Sequence, residues 1–203
     1  MPKKDQDLLE AFRNGATGAF DEIVLKYQGP LMGFFFRLCW DRFLAEDLTQ
    51  EVFLRMIKAA PTYQASGKLD YFVFRIARNL WVDKVRRKAV HPRPASLDKP
   101  LSEEGASLGS LLEGLSADPV EAACREEEAR LLRAAMEELP LKAREVFELA
   151  VYQGFPYKEV ARILEIPEGT VKSRMFHALK TLKGKLRKDL PKAEETGETG
   201  RKS

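Results

Sequence analysis

Wherever apolar residues of this 203-residue chain recur in a pattern, they recur with the spacing of an α-helix. Leu44, Leu48, Val52 and Met56 fall every four residues with Phe53 and Ile57 beside them, while Asp47, Glu51 and Arg55 keep the same spacing on another face. A stripe of that period is what a surface helix buries against a core. Leu69, Val73, Ile76 and Leu80 form a second stripe, and Ala143, Val146, Phe147, Ala150 and Val151 a third. No strand-period alternation and no Asn-Gly hairpin signal interrupts them, so the fold is expected to be all-α.

The stripes stop between His91 and Glu121. His91-Pro92-Arg93-Pro94, Pro100, Gly105, Gly109, Gly114 and Pro119 break any long helix there, with Ser and Glu between them. A structureless stretch of that length is unusual inside one compact domain. The expectation is two small helical domains, residues 1–90 and 122–188, joined by a flexible linker over 91–121 and followed by a disordered polar tail over 189–203.

Hydrophobic residues make up 44% of the chain and charged residues 32%, the balance of a soluble globular protein. The most apolar stretch, Leu31 to Trp40, is broken by Gly33 and Arg37 and falls short of the about 20 residues a spanning helix needs. The polar start, Met1-Pro2-Lys3-Lys4-Asp5, has no signal-peptide core, so no membrane insertion and a cytoplasmic location are expected. Cys39 and Cys124 stand apart without a C-x-x-C pair, and His91 and His177 are the only histidines, so reduced thiols, no metal and no cofactor are expected. A phosphate-binding G-x-x-x-x-G-K loop and a plausible Ser/His/Asp set are both missing, which argues against an enzyme.

The net charge of +3 conceals three blocks. Residues 75–93 hold seven Lys/Arg against Asp83 alone, a balance of +6; residues 98–128 hold nine Asp/Glu against Lys99 and Arg125, a balance of −7; residues 168–188 hold seven Lys/Arg against Glu168, again +6. Two basic modules flanking an acidic connection point toward nucleic acid, with solvated helix faces as the competing reading.

In the C-terminal module a short apolar helix, Val160 to Leu164, is turned by Glu165-Ile166-Pro167 into a third helix. There Val171, Met175, Ala178 and Leu182 make one core-facing stripe, and Gly169, Lys172, Ser173, Phe176, His177 and Lys180 occupy the other side. That order suits a helix-turn-helix, whose second helix reaches base edges in the major groove. Gly169 and Thr170 are small enough to let backbone N–H groups approach a phosphate, Lys172 and Ser173 reach base edges, and Arg174 lies to the side, toward the phosphates. Lys183, Lys185 and Arg187 extend the basic footprint, and Phe176 suits either edge-of-core packing or a groove contact.

The segment 69–88 carries more aromatic surface than one core face uses. With its stripe inward, Tyr71, Phe74 and Trp81 are not all expected to be buried within the same small domain, and Arg75, Arg78, Asn79, Lys84, Arg86 and Arg87 interleave with them. Aromatic rings among cations stack unpaired bases and hold their backbone, which favours opened DNA. Ordinary core packing explains Phe72 and Trp81 but leaves Tyr71 and Phe74.

Four stretches then carry a resemblance. Ala45-Glu46-Asp47-Leu48-Thr49-Gln50-Glu51-Val52-Phe53, Phe74-Arg75-Ile76-Ala77-Arg78-Asn79-Leu80, Tyr157-Lys158-Glu159-Val160-Ala161 and Pro167-Glu168-Gly169-Thr170-Val171-Lys172-Ser173-Arg174 stand in this order. The chain closely resembles the extracytoplasmic-function sigma factors of bacterial RNA polymerase, over roughly residues 5–90 and 122–187. The resemblance implies an alternative-sigma transcription initiation factor that binds core RNA polymerase and promoter DNA and is held by an anti-sigma factor. It implies that Asp47, Gln50, Glu51 and Arg55 dock on the clamp helices of the largest subunit. It places Asn79, Arg75 and Arg78 at the minus-ten element with Tyr71, Phe74, Lys84, Arg86 and Arg87 near them, and the loop Gln64 to Lys68 around a flipped base. The C-terminal module would read the minus-thirty-five element beside the polymerase flap region, and the acidic linker would thread the nucleic-acid channel. His177 and Leu179 stand where many relatives have arginine, so fewer or different contacts are expected near the middle of the recognition helix.

Two other classes compete. A helix-turn-helix regulator of duplex operators explains the C-terminal module but not the aromatic-basic helix or the acidic linker; an interaction scaffold explains neither basic module.

Overall fold

The computed structural model describes residues 5–64, 69–90 and 130–189, and among them every regular element is helical. The all-α expectation holds. The helices are α1 (Asp5–Arg13), α2 (Gly18–Cys39), α3 (Arg42–Ala59), α4 (Leu69–Val90), α5 (130–137), α6 (Leu141–Phe147), α7 (Tyr157–Leu164) and α8 (Glu168–Asp189). The linker expected at 91–121 and the tail beyond Asp189 lie outside the described residues, as do Lys68 and Cys124; Asp189 itself ends α8 rather than opening a tail.

Helices α1 to α4 form one bundle. Leu9, Ile23, Tyr27, Leu31, Phe34, Phe35, Val52, Met56, Leu69 and Val73 fill its interior. On α3 the buried face is Ala45, Leu48, Thr49, Val52 and Met56, whereas Leu44 and Phe53 are half-buried and Ile57 is exposed. A four-residue step overshoots a helical turn by about 40°, so the stripe read from the sequence drifts off the core at both ends. Between α2 and α3 the chain reverses in two residues. Trp40 takes a left-handed conformation (φ 56°, ψ 26°) and its N–H donates to the Phe36 carbonyl at 2.7 Å, while the Asp41 carboxylate accepts from the Leu44 N–H at 3.0 Å and caps α3. A tryptophan at φ > 0 is strained; here the Phe36 ring edge at 5.5 Å and the Arg133 guanidinium at 5.1 Å pack against its indole.

The second unit is built on α6, α7 and α8 around Met136, Val146, Leu149, Val160, Ile163, Val171, Met175 and Leu182. α6 runs into a π turn, Glu148–Tyr152, closed by the Gln153 N–H on the Glu148 carbonyl at 3.1 Å. The extra residue rotates the chain beyond it by roughly 100°. The predicted stripe is therefore corrected: Glu148 and Leu149 are fully buried and Val151 is exposed. Gly154, at φ +70°, releases the turn into α7. Glu165, left-handed at φ 55°, ends α7, and the Ile166 N–H donates back to the Ala161 carbonyl at 3.0 Å. Pro167 then starts α8, completing the expected helix-turn-helix.

The two units pack together. α7 lies on α4, and α6 with its π turn lies on α2.

Candidate nucleic-acid and polymerase interfaces

Of the residues expected on the polymerase-facing side of α3, Asp47 and Gln50 are exposed. Glu51 and Arg55 are half-buried and bound to one another at 2.9 Å, with Arg55 also 3.9 Å from Asp83 of α4. Part of their charge is thus neutralised within the bundle. The same face holds two apolar residues outside the set expected from the sequence: Phe43, 81% exposed, and Leu54, 51% exposed. Spacings of four, three and four join Phe43, Asp47, Gln50 and Leu54 into one helical stripe, roughly half a turn from the core stripe. That offset was the available signal.

On α4 the expected minus-ten residues divide. Arg75, Asn79, Lys84, Arg86 and Arg87 are exposed, as is Gln64 ahead of the helix; Lys68 lies outside the described residues. Arg75 sits over the rings of Tyr71 (5.5 Å) and Phe72 (5.9 Å). Tyr71 is half-buried, and Phe74 and Trp81 are buried. The expectation that these rings offer open stacking surface is corrected for Phe74 and Trp81. Phe74 lies between Phe34 of its own bundle (5.6 Å) and Phe155 of the C-terminal unit (5.3 Å), so the surplus aromatic surface is covered by the other half of the chain. Arg162 of α7 likewise stands 5.8 Å from the Tyr71 ring. Arg78 donates to the Leu164 carbonyl at 3.1 Å and to Asn79 Oδ1 at 3.1 Å, and lies 3.5 Å from Glu165.

On α8 the division read from the sequence is found. Val171, Met175, Ala178 and Leu182 are buried; Gly169, Lys172, Ser173, Phe176, His177 and Lys180 are exposed, and Thr170 and Arg174 are half-buried. Phe176 is 65% exposed, so it belongs to the outer face rather than the edge of the core. Leu179, 51% exposed, extends that face and was not among the residues expected to read DNA. A Cβ at Gly169 would meet nothing within 4 Å, so the chain's own packing does not require a glycine there. Lys183 and Arg187 are exposed, whereas Lys185 pairs with Glu138 at 2.7 Å. Lys172 pairs with Glu168 at 3.0 Å on the open surface, a contact that solvent makes weak.

Three buried carboxylate and guanidinium groups were not anticipated. Glu148, fully buried, receives two hydrogen bonds from Arg37 (Nε 2.6 Å, Nη2 2.7 Å) and one from Gln153 (3.0 Å). Burial pushes its carboxyl up from the ordinary range, and Arg37 and Gln153 pull against that shift. Burial also pushes Glu145 up, opposed by Arg78, Arg174 and Lys142. Arg144, whose guanidinium burial shifts downward, donates to the carbonyls of Leu38, Glu137 and Leu139.

Residues 23–90, on α2 to α4, match Sigma-70 region 2, and residues 129–182, from α5 into α8, match Sigma-70, region 4. The chain is 32% identical over 163 residues to the ECF RNA polymerase sigma factor SigM of Bacillus subtilis, spanning 80% of this chain and 92% of that one. The chain belongs to the extracytoplasmic-function sigma factors. The RNA polymerase sigma-H factor of Pseudomonas aeruginosa is 29% identical over 181 residues (87% of this chain, 90% of that one), and the ECF RNA polymerase sigma-E factor of Escherichia coli is 27% identical over 182 (90% and 94%). Among solved structures, CnrH in complex with the cytosolic domain of CnrY has this fold, with TM-score 0.65 and 17% identity over 93% of this chain and all of that one. So does the sigma factor RpoE of Bartonella quintana in complex with the anti-sigma factor NepR, with TM-score 0.60 and 21% identity over 84% of this chain and 98% of that one. This sigma factor is an alternative-sigma transcription initiation protein that directs RNA polymerase, and its family is not enzymatic. Among the described residues no helix is long and apolar enough to cross a membrane, and no cluster of three metal-ligating side chains occurs.

Proposed function

We propose that the three exposed faces divide the work of initiation. The α3 stripe of Phe43, Asp47, Gln50 and Leu54, with Glu51 and Arg55 at its edge, docks on the clamp helices of the polymerase's largest subunit. The outer face of α4, with Asn79, Arg75, Arg78 and the loop Gln64 to Lys68, takes the opened minus-ten strand. The outer face of α8 reads the minus-thirty-five duplex through Lys172, Ser173, Phe176, His177 and Lys180, with Gly169 and Thr170 at the phosphates and the flap region nearby. Residues 91–121 link the two domains, and the protein acts in the cytoplasm. The neighbour solved with the anti-sigma factor NepR supports an anti-sigma partner for this chain as well.

The observation that carries this reading is the clean division of α8, apolar residues inward and Lys172, Ser173, Phe176 and His177 outward, on a chain whose α3 also presents an uncovered mixed face. A duplex-operator regulator leaves that second face without a use. The test is transcription in vitro with core polymerase on a random promoter library. Asp47→Lys reverses an exposed charge without touching the core, so the variant should fold normally, bind minus-thirty-five duplex as the parent does, and assemble holoenzyme at least about tenfold more weakly, the scale of one docking charge. Tight assembly by a folded Asp47→Lys protein moves the docking face elsewhere; operator binding with no polymerase-dependent transcription returns the duplex regulator.

A further inference from the structure

The outer face of α8 consists of two lines of side chains. Gly169, Ser173, His177 and Lys180 follow one another at spacings of four, four and three, and none of them is apolar beyond the bare glycine. Lys172, Phe176, Leu179 and Lys183 follow at four, three and four, and all four are exposed. This second line sets two apolar side chains between two cations. Phe176 is 65% exposed and Leu179 51%, with the His177 ring edge-on to Phe176 at 5.7 Å. Apolar residues scattered singly over a surface need no partner. These two stand three residues apart, neighbours on successive turns, and so form a continuous ridge.

Charge decides what the ridge fits. Residues 168–188 carry a balance of +6, and Lys172 and Lys183 close the ridge at both ends, so its partner is anionic on either side of an apolar strip. An apolar protein groove would desolvate both ammonium groups without pairing them. Duplex DNA offers the required combination: phosphates flank the major groove, and inside it thymine presents its C5-methyl group. Phenylalanine and leucine carry no side-chain donor or acceptor, so they read no hydrogen-bonding edge; what they distinguish is the presence of a methyl group. Three residues of helix rise about 4.5 Å, against about 3.4 Å between base pairs. Phe176 and Leu179 therefore reach neighbouring pairs.

We infer that Phe176 and Leu179 read the 5-methyl groups of thymines on neighbouring base pairs of the minus-thirty-five duplex, with Lys172 and Lys183 holding acceptors at either end of the line. This rests on the assignment of α8 to that element. Leu179 is thereby a specificity residue in addition to Lys172, Ser173 and His177, and it selects by apolar contact where an arginine would select by donating hydrogen bonds. Each methyl group taken out of water strengthens binding about fourfold. The preferred element carries thymine, on either strand, at two neighbouring pairs.

The experiment uses holoenzyme assembled from the full chain. Transcription of a random promoter library gives the preferred minus-thirty-five element, and each of its thymines is then replaced in turn by deoxyuridine, which removes the methyl group and leaves every hydrogen-bonding edge in place. Holoenzyme affinity should fall about fourfold at two neighbouring pairs and change little at thymines elsewhere. Phe176→Ala should lose that penalty at one of the two pairs and Leu179→Ala at the other, with helix content unchanged because neither side chain lies in the core. A preferred element without thymines at neighbouring pairs overturns the proposal, and so does a deoxyuridine series that costs the parent nothing, whether or not the variants fold. A penalty that both variants keep overturns it too; if Leu179→Ala then also assembles holoenzyme poorly, the ridge is a polymerase contact. A library that yields transcription but no minus-thirty-five preference overturns the α8 assignment itself, and the methyl reading with it.

Discussion

Glu148 is the residue on which most of the interior electrostatics turns. Removing one partner of a buried, hydrogen-bonded pair strands the other charge and costs about 3–5 kcal/mol. Glu148→Ala should therefore destabilise the chain by that amount in urea unfolding, with Arg37→Ala close behind, and the double variant should cost clearly less than the sum of the two. Additive losses would mean that the pair does not act as a unit. Glu145 supplies a pH signature. Its folded carboxyl is raised by burial, against the pull of Arg78, Arg174 and Lys142, so the folded state holds the proton more readily than the unfolded state. That contribution is fully present below the ordinary carboxylate range and is lost as pH rises through the raised value. Relative to the parent, Glu145→Gln should show a flatter fall in thermal stability as pH rises from about 4.5, the usual glutamate value; a parent and variant with the same slope would remove Glu145 as the source. None of this was legible in the sequence, where Arg37 interrupts an apolar run and Glu148 looks like one more surface acid. Pairing across 111 positions leaves no local pattern.

At the level of elements, most of the architecture was legible. α3, α4 and α8 follow from apolar period alone, and the Glu165-Ile166-Pro167 turn follows from its punctuation. What failed was phase: the π turn after α6 inserts a residue that no propensity announces, so Val151 turned outward and Glu148 inward. Phe43 and Leu54 escaped notice because they lie on the side of α3 opposite the core stripe, outside the apolar pattern that marks the buried face. The recognition helix carries its own prediction. Lys172 stands near the start of α8 on the exposed face, and a base-edge contact there contributes about 1–3 kcal/mol of discrimination. Lys172→Ala should weaken preferred promoters more than others across a library. The partner comparison is Lys183→Ala and not Lys185→Ala, because Lys185 is held by Glu138. Lys183→Ala should weaken all sequences alike and reduce the salt slope by about one phosphate's worth. Equal, sequence-blind losses for both variants would take Lys172 out of the reading set.

For the whole molecule, the sequence revealed two basic modules and a change of texture between them, but not that the modules meet. Tyr71, Phe74 and Trp81 do exceed one small core in area; the excess of Phe74 is taken up by the second domain, not by solvent or DNA. Phe74 decides between those accounts. Its ring is 3% exposed between Phe34 and Phe155, and truncating a buried phenylalanine costs about 3–5 kcal/mol through lost transfer energy and the cavity left behind. Phe74→Ala should therefore lower thermal stability by that amount and impair transcription to a similar degree on duplex promoters and on promoters already mismatched at the minus-ten element. Asn79 is exposed and contributes no core packing, so Asn79→Ala should leave stability within about 0.5 kcal/mol of the parent, as surface substitutions usually do. Its defect should instead be a lost base preference at one minus-ten position, present on both templates because a recognition contact is missing from both. Mismatched templates save the few kcal/mol of unpairing. A Phe74→Ala protein that is stable, fails on duplex and recovers on mismatched DNA would mean that the ring leaves its place between Phe34 and Phe155 to enter the opening duplex.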